Sequence, residues 1–191
     1  MNRRLFIAIN LDKRTKEGIS RLVEEFKTKI PWELSSSIRF TPPENWHLTL
    51  SFLGYQDDED IGVIMEAAQK AAKQFSPQNI SLTETVYGPS ERKPRMIWFL
   101  TDSYTEHNLA EIKNVLEDGL EEANVRFKRE QRPFTGHLTL ARLTTDFTAD
   151  NLPTIGRDVH MQFEADGLDL MESELKRGGA EYTSLQKFLF K

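Results

Sequence analysis

The tetrapeptide His-Leu-Thr-Leu occurs twice, at residues 47–50 and 137–140, 90 residues apart in a chain of 191. From ordinary residue usage, a second copy by chance has a probability on the order of one in several hundred. The repeat reaches well beyond the tetrapeptide. Pro43 and Pro133 each stand four residues before the histidine, and Phe6–Asp12 falls on Met96–Asp102 at the same offset. Each half therefore reads strand, capped helix, irregular segment and a Pro-x-x-x-His-Leu-Thr-Leu strand. This predicts two similar lobes related by an approximate twofold axis.

The remaining pattern fills in around the repeat. Leu5–Asn10 is a short apolar strand, and Asp12 caps a helix whose Ile19, Leu22, Val23, Phe26 and Ile30 recur at helical spacing before Pro31. Ile38–Thr41 and His47–Leu53 read as strands. Gly54 and the acidic run Asp57–Asp60 open a second helix, and Leu109–Leu120 marks a third. Ile80–Tyr87, Met96–Leu100, Val125–Lys128 and His137–Leu143 are strand-like, and the tail from Val159 to Phe190 reads as strands around a Gly178-Gly179 turn. Thr144–Arg157 has no clear period. Strands and helices without strict alternation predict an α+β fold, and no linker divides residues 1–191 into separate domains.

Composition removes several function classes. With 25 basic and 30 acidic side chains the net charge is −5, which argues against a broad nucleic-acid coat and leaves room for a local basic groove. There is no cysteine, so no disulfide, thiolate zinc site or cysteine nucleophile is available. A reducing, cytoplasmic setting suits such a chain. The basic start and the apolar Leu5–Ile9 superficially suggest a signal peptide. The run stops at Asn10 with no small-residue cleavage site and is too short to span a bilayer, so the reading is a buried strand and no membrane.

Side chains alternate along a strand, so His47 and Thr49 share one face while Leu48 and Leu50 share the other; His137, Thr139, Leu138 and Leu140 follow the same rule. The leucines would pack under helices. The twofold axis would turn the two His-x-Thr faces toward one groove. Two imidazoles titrating near neutrality can serve as general acid and general base in one turnover. Two hydroxyls can donate to the non-bridging oxygens of a phosphate. Water can then be the nucleophile. Neither motif has a carboxylate at ligand spacing, and threonine is a poor ligand, so the pattern calls for no metal and no cofactor. It describes hydrolysis of a phosphodiester, above all a strained cyclic one.

The chain resembles the two-histidine (2H) phosphoesterase superfamily, and within it the RNA 2′,3′-cyclic phosphodiesterases, also called 2′-5′ RNA ligase-like proteins. The resemblance rests on Arg4–Ile9, Pro42–Leu50 with Phe52-Leu53-Gly54, Pro94–Trp98, Arg132-Pro133-Phe134, His137–Arg142, Leu170–Ser173 and Gly179–Tyr182. It implies a bilobal α+β fold, with two antiparallel sheets lining a central groove and helices outside. It implies hydrolysis of 2′,3′-cyclic phosphate at RNA ends, tRNA fragments among them, to a 2′-phosphomonoester. By the same resemblance His47 would protonate the leaving 3′ oxygen and His137 would activate water; symmetry alone leaves these roles open. Thr49 and Thr139 would hold the phosphate, and Arg142 matches a family arginine that supports phosphate binding. By strand parity Arg142 should face away from His137, so a bulge or strand end must bring it round. Phe52 occupies the equivalent place in the first repeat, which makes the groove asymmetric. Gly136 departs from the family pattern, where proline commonly precedes the second histidine.

Other readings stay open at this level. Ligation of RNA through a 2′-5′ bond, cleavage of another small cyclic phosphate or 2′-5′ oligonucleotide, and non-catalytic binding of RNA ends are the alternatives. Arg92, Lys93, Arg95, Lys128, Arg129 and Arg132 could form a basic rim along an RNA backbone. Trp46 or Phe134 could stack on a base or sit in the core. His107 is expected to be exposed and His160 to be structural.

Overall fold

Five consecutive apolar residues, Leu5–Ile9, are buried because both faces of their strand are covered. Leu5, Ile7 and Ile9 enter the main core. Phe6 and Ala8 pack on the opposite face with Met171 and Tyr182. The computed structural model describes residues 2–90, 92–144, 147, 152, 155, 159–176 and 179–191. Its elements run β1 (Asn2–Asn10), α1 (Lys13–Lys29), α2 (Trp32–Ser35), β2 (Ile38–Phe40), a 3-10 turn (Pro43–Asn45), β3 (His47–Asp57), α3 (Asp58–Ala72), β4 (Gln78–Gly88), β5 (Met96–Thr101), α4 (Ser103–Glu122), β6 (His137–Leu143), β7 (Met161–Ala165), β8 (Gly167–Lys176) and β9 (Gly179–Leu189).

Among the described residues the strands form one strongly curled sheet in the order β7-β4-β5-β6-β3-β1-β8-β9, with β2 also on β6. Every pairing is antiparallel. The fold is α+β, as expected, and the sheets of the two lobes join where β3 meets β6. That junction pairs Leu48 with Leu138, the same position of each repeat. An antiparallel pair of equivalent residues places the local twofold axis between them.

The repeat is written into the backbone. Asn10, Ile9 and Ala8 pair with His47, Leu48 and Thr49. Leu100, Phe99 and Trp98 pair with His137, Leu138 and Thr139, each shifted by 90. Both pairings then slip by one residue, at Leu50 and at Leu140, so the two repeats carry the same bulge. The caps match too. Asp12 accepts from the Thr15 amide at 2.9 Å, and Asp102 accepts from the Thr105 amide at 2.7 Å.

The helices cover the leucine face. α1 packs on β7, α3 on β3, β8 and β9, and α4 on β3, β4 and α3. Buried Ala67, Ala68, Ala71 and Ala72 give α3 a narrow inner side. No helix among the described residues is long and apolar enough to cross a membrane.

Two expectations are corrected. Val125–Lys128 is irregular chain, although Val125 is buried: it caps the hydrophobic end of α4 without finding a strand partner. β3 does not stop at Leu53. Gly54, at φ +74°, takes a second bulge opposite Leu5 and lets the strand run on to Asp57, so α3 starts inside the acidic run. The Thr144–Arg157 segment and the Gly178 half of the predicted turn lie largely outside the described residues.

Candidate active site

The face opposite the leucines carries the candidate residues. In β3 the pattern is His47 half-buried, Leu48 buried, Thr49 half-buried and Leu50 buried. In β6 His137, Leu138, Thr139 and Leu140 repeat it. Continuing the Leu48–Leu138 register by one residue each way sets His47 opposite Thr139 and Thr49 opposite His137. The two motifs thus interlock, with each histidine beside the threonine of the other repeat.

The bulges explain what strand parity could not. Leu50 and Ser51 are both buried, as are Leu140 and Ala141, so one extra residue resets the alternation in each strand. Arg142 and Phe52 therefore emerge on the histidine side, and both are exposed. Ser51 is held on the core side by the Glu117 carboxylate, to which its hydroxyl donates at 2.8 Å. Lys113 and Arg129 neutralise that buried carboxylate at 2.6 and 3.1 Å.

Both imidazoles are fixed in the same way. Nδ1 of His47 lies 2.8 Å from the carbonyl oxygen of Asn45, and Nδ1 of His137 lies 2.8 Å from that of Thr135. A carbonyl oxygen only accepts, so in the neutral ring Nδ1 carries the proton and Nε2 presents a lone pair. Aromatic walls restrict each ring. Phe6 and Tyr182 lie 4.9 Å from His47 between ring centres, Tyr182 edge-on. Trp98 lies 4.1 Å from His137.

Electrostatics differ between the two. Burial pushes the His47 imidazole down to about 4; its contact with the Asn45 carbonyl works against this, while Lys16, His137 and Arg142 add to it. Burial also lowers His137, opposed by the Thr135 carbonyl. His137 and Arg142 act electrostatically on His47 across the junction of the lobes.

Several secondary readings change. Trp46 is 1 % exposed and belongs to the core, so it offers no free face for a base, and half-buried Phe134 packs against that core. Arg129 is taken up by Glu117, Asp118 and Glu121, and exposed Arg132 pairs with Glu130 at 2.7 Å. Arg92, Lys93, Arg95 and Lys128 are exposed. His107 is exposed on α4, as expected, and His160 is exposed just before β7. At Gly136 a side chain would meet the Thr101 hydroxyl at 2.3 Å, and its amide donates to Glu106 at 3.3 Å. Glycine is what this crowded corner accepts, and a proline would lose that hydrogen bond.

Sequence reasoning missed Phe6, Trp98 and Tyr182 around the histidines, and the charge of Lys16 acting on His47. Trp98 was findable, because the offset of 90 places it on Ala8, which faces Thr49. Tyr182 was not. It reaches His47 from β9, at the far end of the chain, through pairings that no local pattern encodes.

Comparison with known proteins agrees with this architecture. The family described as LigT like Phosphoesterase matches residues 9–98 and 102–182. A Thermus thermophilus protein named RNA 2′,3′-cyclic phosphodiesterase is 30% identical over 187 residues, covering 97% of this chain and 89% of that protein. A protein of the same name from Methanocaldococcus jannaschii is 30% identical over 192 residues, covering 97% and 99%. The crystal structure of TT0787 of Thermus thermophilus superposes with a TM-score of 0.79 at 28% identity, over 98% of this chain and 97% of that one. Taken with the doubled His-x-Thr strands, these matches establish that the chain belongs to the LigT-like phosphoesterase family.

Proposed function

We propose that this chain hydrolyses the 2′,3′-cyclic phosphate at RNA ends to a 2′-phosphomonoester, with His47 and His137 as the proton-transfer pair and no metal. The carrying observation is the pair of imidazoles, each with Nδ1 tied to a carbonyl and Nε2 left to react, on one face of the joined sheet. The names of the curated relatives support the same substrate class.

In the forward step His137 Nε2 takes a proton from water, whose oxygen forms a bond to phosphorus. The bond from phosphorus to the 3′ oxygen breaks, and protonated His47 gives its proton to that oxygen. The reaction leaves His137 protonated and His47 neutral, and exchange with solvent restores the start. Thr49 and Thr139 donate to the non-bridging oxygens, and Arg142 offsets their charge. Low proton affinity makes His47 a strong acid once charged. Burial, with the nearby cations adding to it, holds His47 neutral in the free enzyme, and the bound phosphate supplies the counter-charge.

An oligonucleotide with a 2′,3′-cyclic phosphate end, incubated with excess chelator, should yield only the 2′-phosphate. His47→Ala and His137→Ala should each lose about 10²–10⁴-fold in rate, the usual contribution of a general acid or base, with unchanged circular dichroism. Near-wild-type turnover in either variant, or activity abolished by the chelator, would overturn the proposal. A 2′-5′ linked product from RNA halves would show ligation instead.

A further inference from the structure

At the offset of 90, Trp98 falls on Ala8. Each lies opposite the threonine of its own motif, Ala8 across from Thr49 and Trp98 across from Thr139. That places each diagonal to the histidine of the motif, a separation that an aromatic side chain spans and an alanine does not. The repeat keeps the place and exchanges the residue that fills it.

The indole of Trp98 is held from two directions. A side-chain carbon on Gly88 would fall 2.4, 2.4 and 2.8 Å from its Cδ2, Cε3 and Cε2, so the indole lays a face on the Gly88 backbone. His137 stacks on it with 4.1 Å between ring centres and 31° between planes. The indole Nε1 is buried with no hydrogen-bond partner among the described residues, a cost that phenylalanine or leucine would avoid. The setting of His47 is different. Phe6 is a smaller ring set further off, at 4.9 Å and 38°, and Tyr182 meets His47 edge-on at 82°.

The face of an indole is the negative side of its quadrupole, and within about 6 Å it attracts a cation more strongly than tyrosine or phenylalanine does. On the proposed function, on which this inference rests, His137 begins neutral and becomes an imidazolium as it takes the proton of water. A contact that strengthens as that charge appears speeds the step rather than only tightening binding. We propose that Trp98 is a positioning residue for His137, holding its ring in place and stabilising, through the indole face, the imidazolium that forms there. Ala8 gives His47 no such face, so the exchange of alanine for tryptophan makes the second histidine the better home for a proton. The other charged groups on that side are His47 across the β3–β6 junction, Arg142 with Arg39 opposite it, and Glu84 on β4 opposite Leu100. Glu106 of α4 accepts from the Gly136 amide, and β5 carries no titratable side chain.

Fluorination drains the negative face of an indole and leaves its shape nearly unchanged, so it separates charge support from packing. Tetrafluorotryptophan placed at position 98 by amber suppression leaves Trp32 and Trp46 natural. On an oligonucleotide with a 2′,3′-cyclic phosphate end it should lower kcat about tenfold with KM within about twofold, and monofluorotryptophan should fall between. In the free protein, the protonation midpoint of His137 followed by nuclear magnetic resonance should move down by about one pH unit, the same tenfold in another readout. Trp98→Phe should keep more of the rate than Trp98→Leu. A kcat or a His137 midpoint that fluorination leaves unmoved overturns the proposal, and a loss seen only in Trp98→Leu would mark a ring that merely fills space. Failure of the underlying hydrolase reading shows separately, as wild-type protein that cleaves no cyclic phosphate.

Discussion

His47 and His137 are the same residue twice in a repeated strand, yet the molecule treats them differently. Desolvation, then Lys16, His137 and Arg142, hold His47 near 4, while His137 is lowered by burial. The folded value of His47 lies below its ordinary 6.5, so between about pH 6.5 and 4 the unfolded chain binds more protons. Stability should therefore fall as pH drops through that window and be level above it. Urea midpoints near pH 7 and about pH 5 would show the loss in wild type, and His47→Gln should flatten part of it. A wild-type midpoint that rises toward acid would contradict the placement of His47. On the proposed function, activity should follow the same groups. Free enzyme with one protonated and one neutral imidazole is most populated between two lowered values, so kcat/KM should peak on the acid side of neutrality. A profile of kcat/KM still rising at about pH 8 would count against the pair.

At the scale of elements, the repeat governs caps, registers and bulges more than it governs packing. Asp12 and Asp102 close the two equivalent helices, and the Asp12 carboxylate also accepts from the Thr15 hydroxyl at 2.6 Å. Asp12→Ala and Asp102→Ala should each cost about 1 kcal/mol in chemical denaturation, and the double variant should show the sum. A cost near zero for either would mean that its helix start is held by packing alone. The caps were legible, because aspartate before a helical period is a local signal. A bulge or strand end before Arg142 was called for, but its position at Leu140 and its twin at Leu50 were not legible. A bulge depends on which residues the neighbouring strand offers, so only pairing with β1 and β5 revealed how Phe52 and Arg142 reach the groove.

At the scale of the molecule the sequence halves are not the structural halves. β2 comes from the first repeat but pairs with β6 of the second. β8, from the end of the chain, pairs with β1 and carries β9 beside it, while β4 flanks β5 on the other side. A single core cluster draws residues from Leu5 to Phe190. Fragments 1–90 and 91–191 should therefore fail to fold separately, since the first loses β8 and β9 and the second loses β1 and β3. Cooperative melting of either fragment alone, followed by circular dichroism, would show that the lobes are independent after all.

The sequence by itself determined the two strands, their inner and outer faces, the helix caps and the residue types that suit phosphate chemistry. All of these depend on neighbours within a few positions, through alternation, helical period and capping hydrogen bonds. Tertiary structure alone decided that the strands meet at Leu48 and Leu138, that Arg142 turns toward the histidines, and that Tyr182 packs edge-on against His47. Those outcomes depend on contacts between distant segments and on how far each group is taken out of water. A repeat makes its two copies alike, and the unequal surroundings of the fold give the two histidines different electrostatic settings.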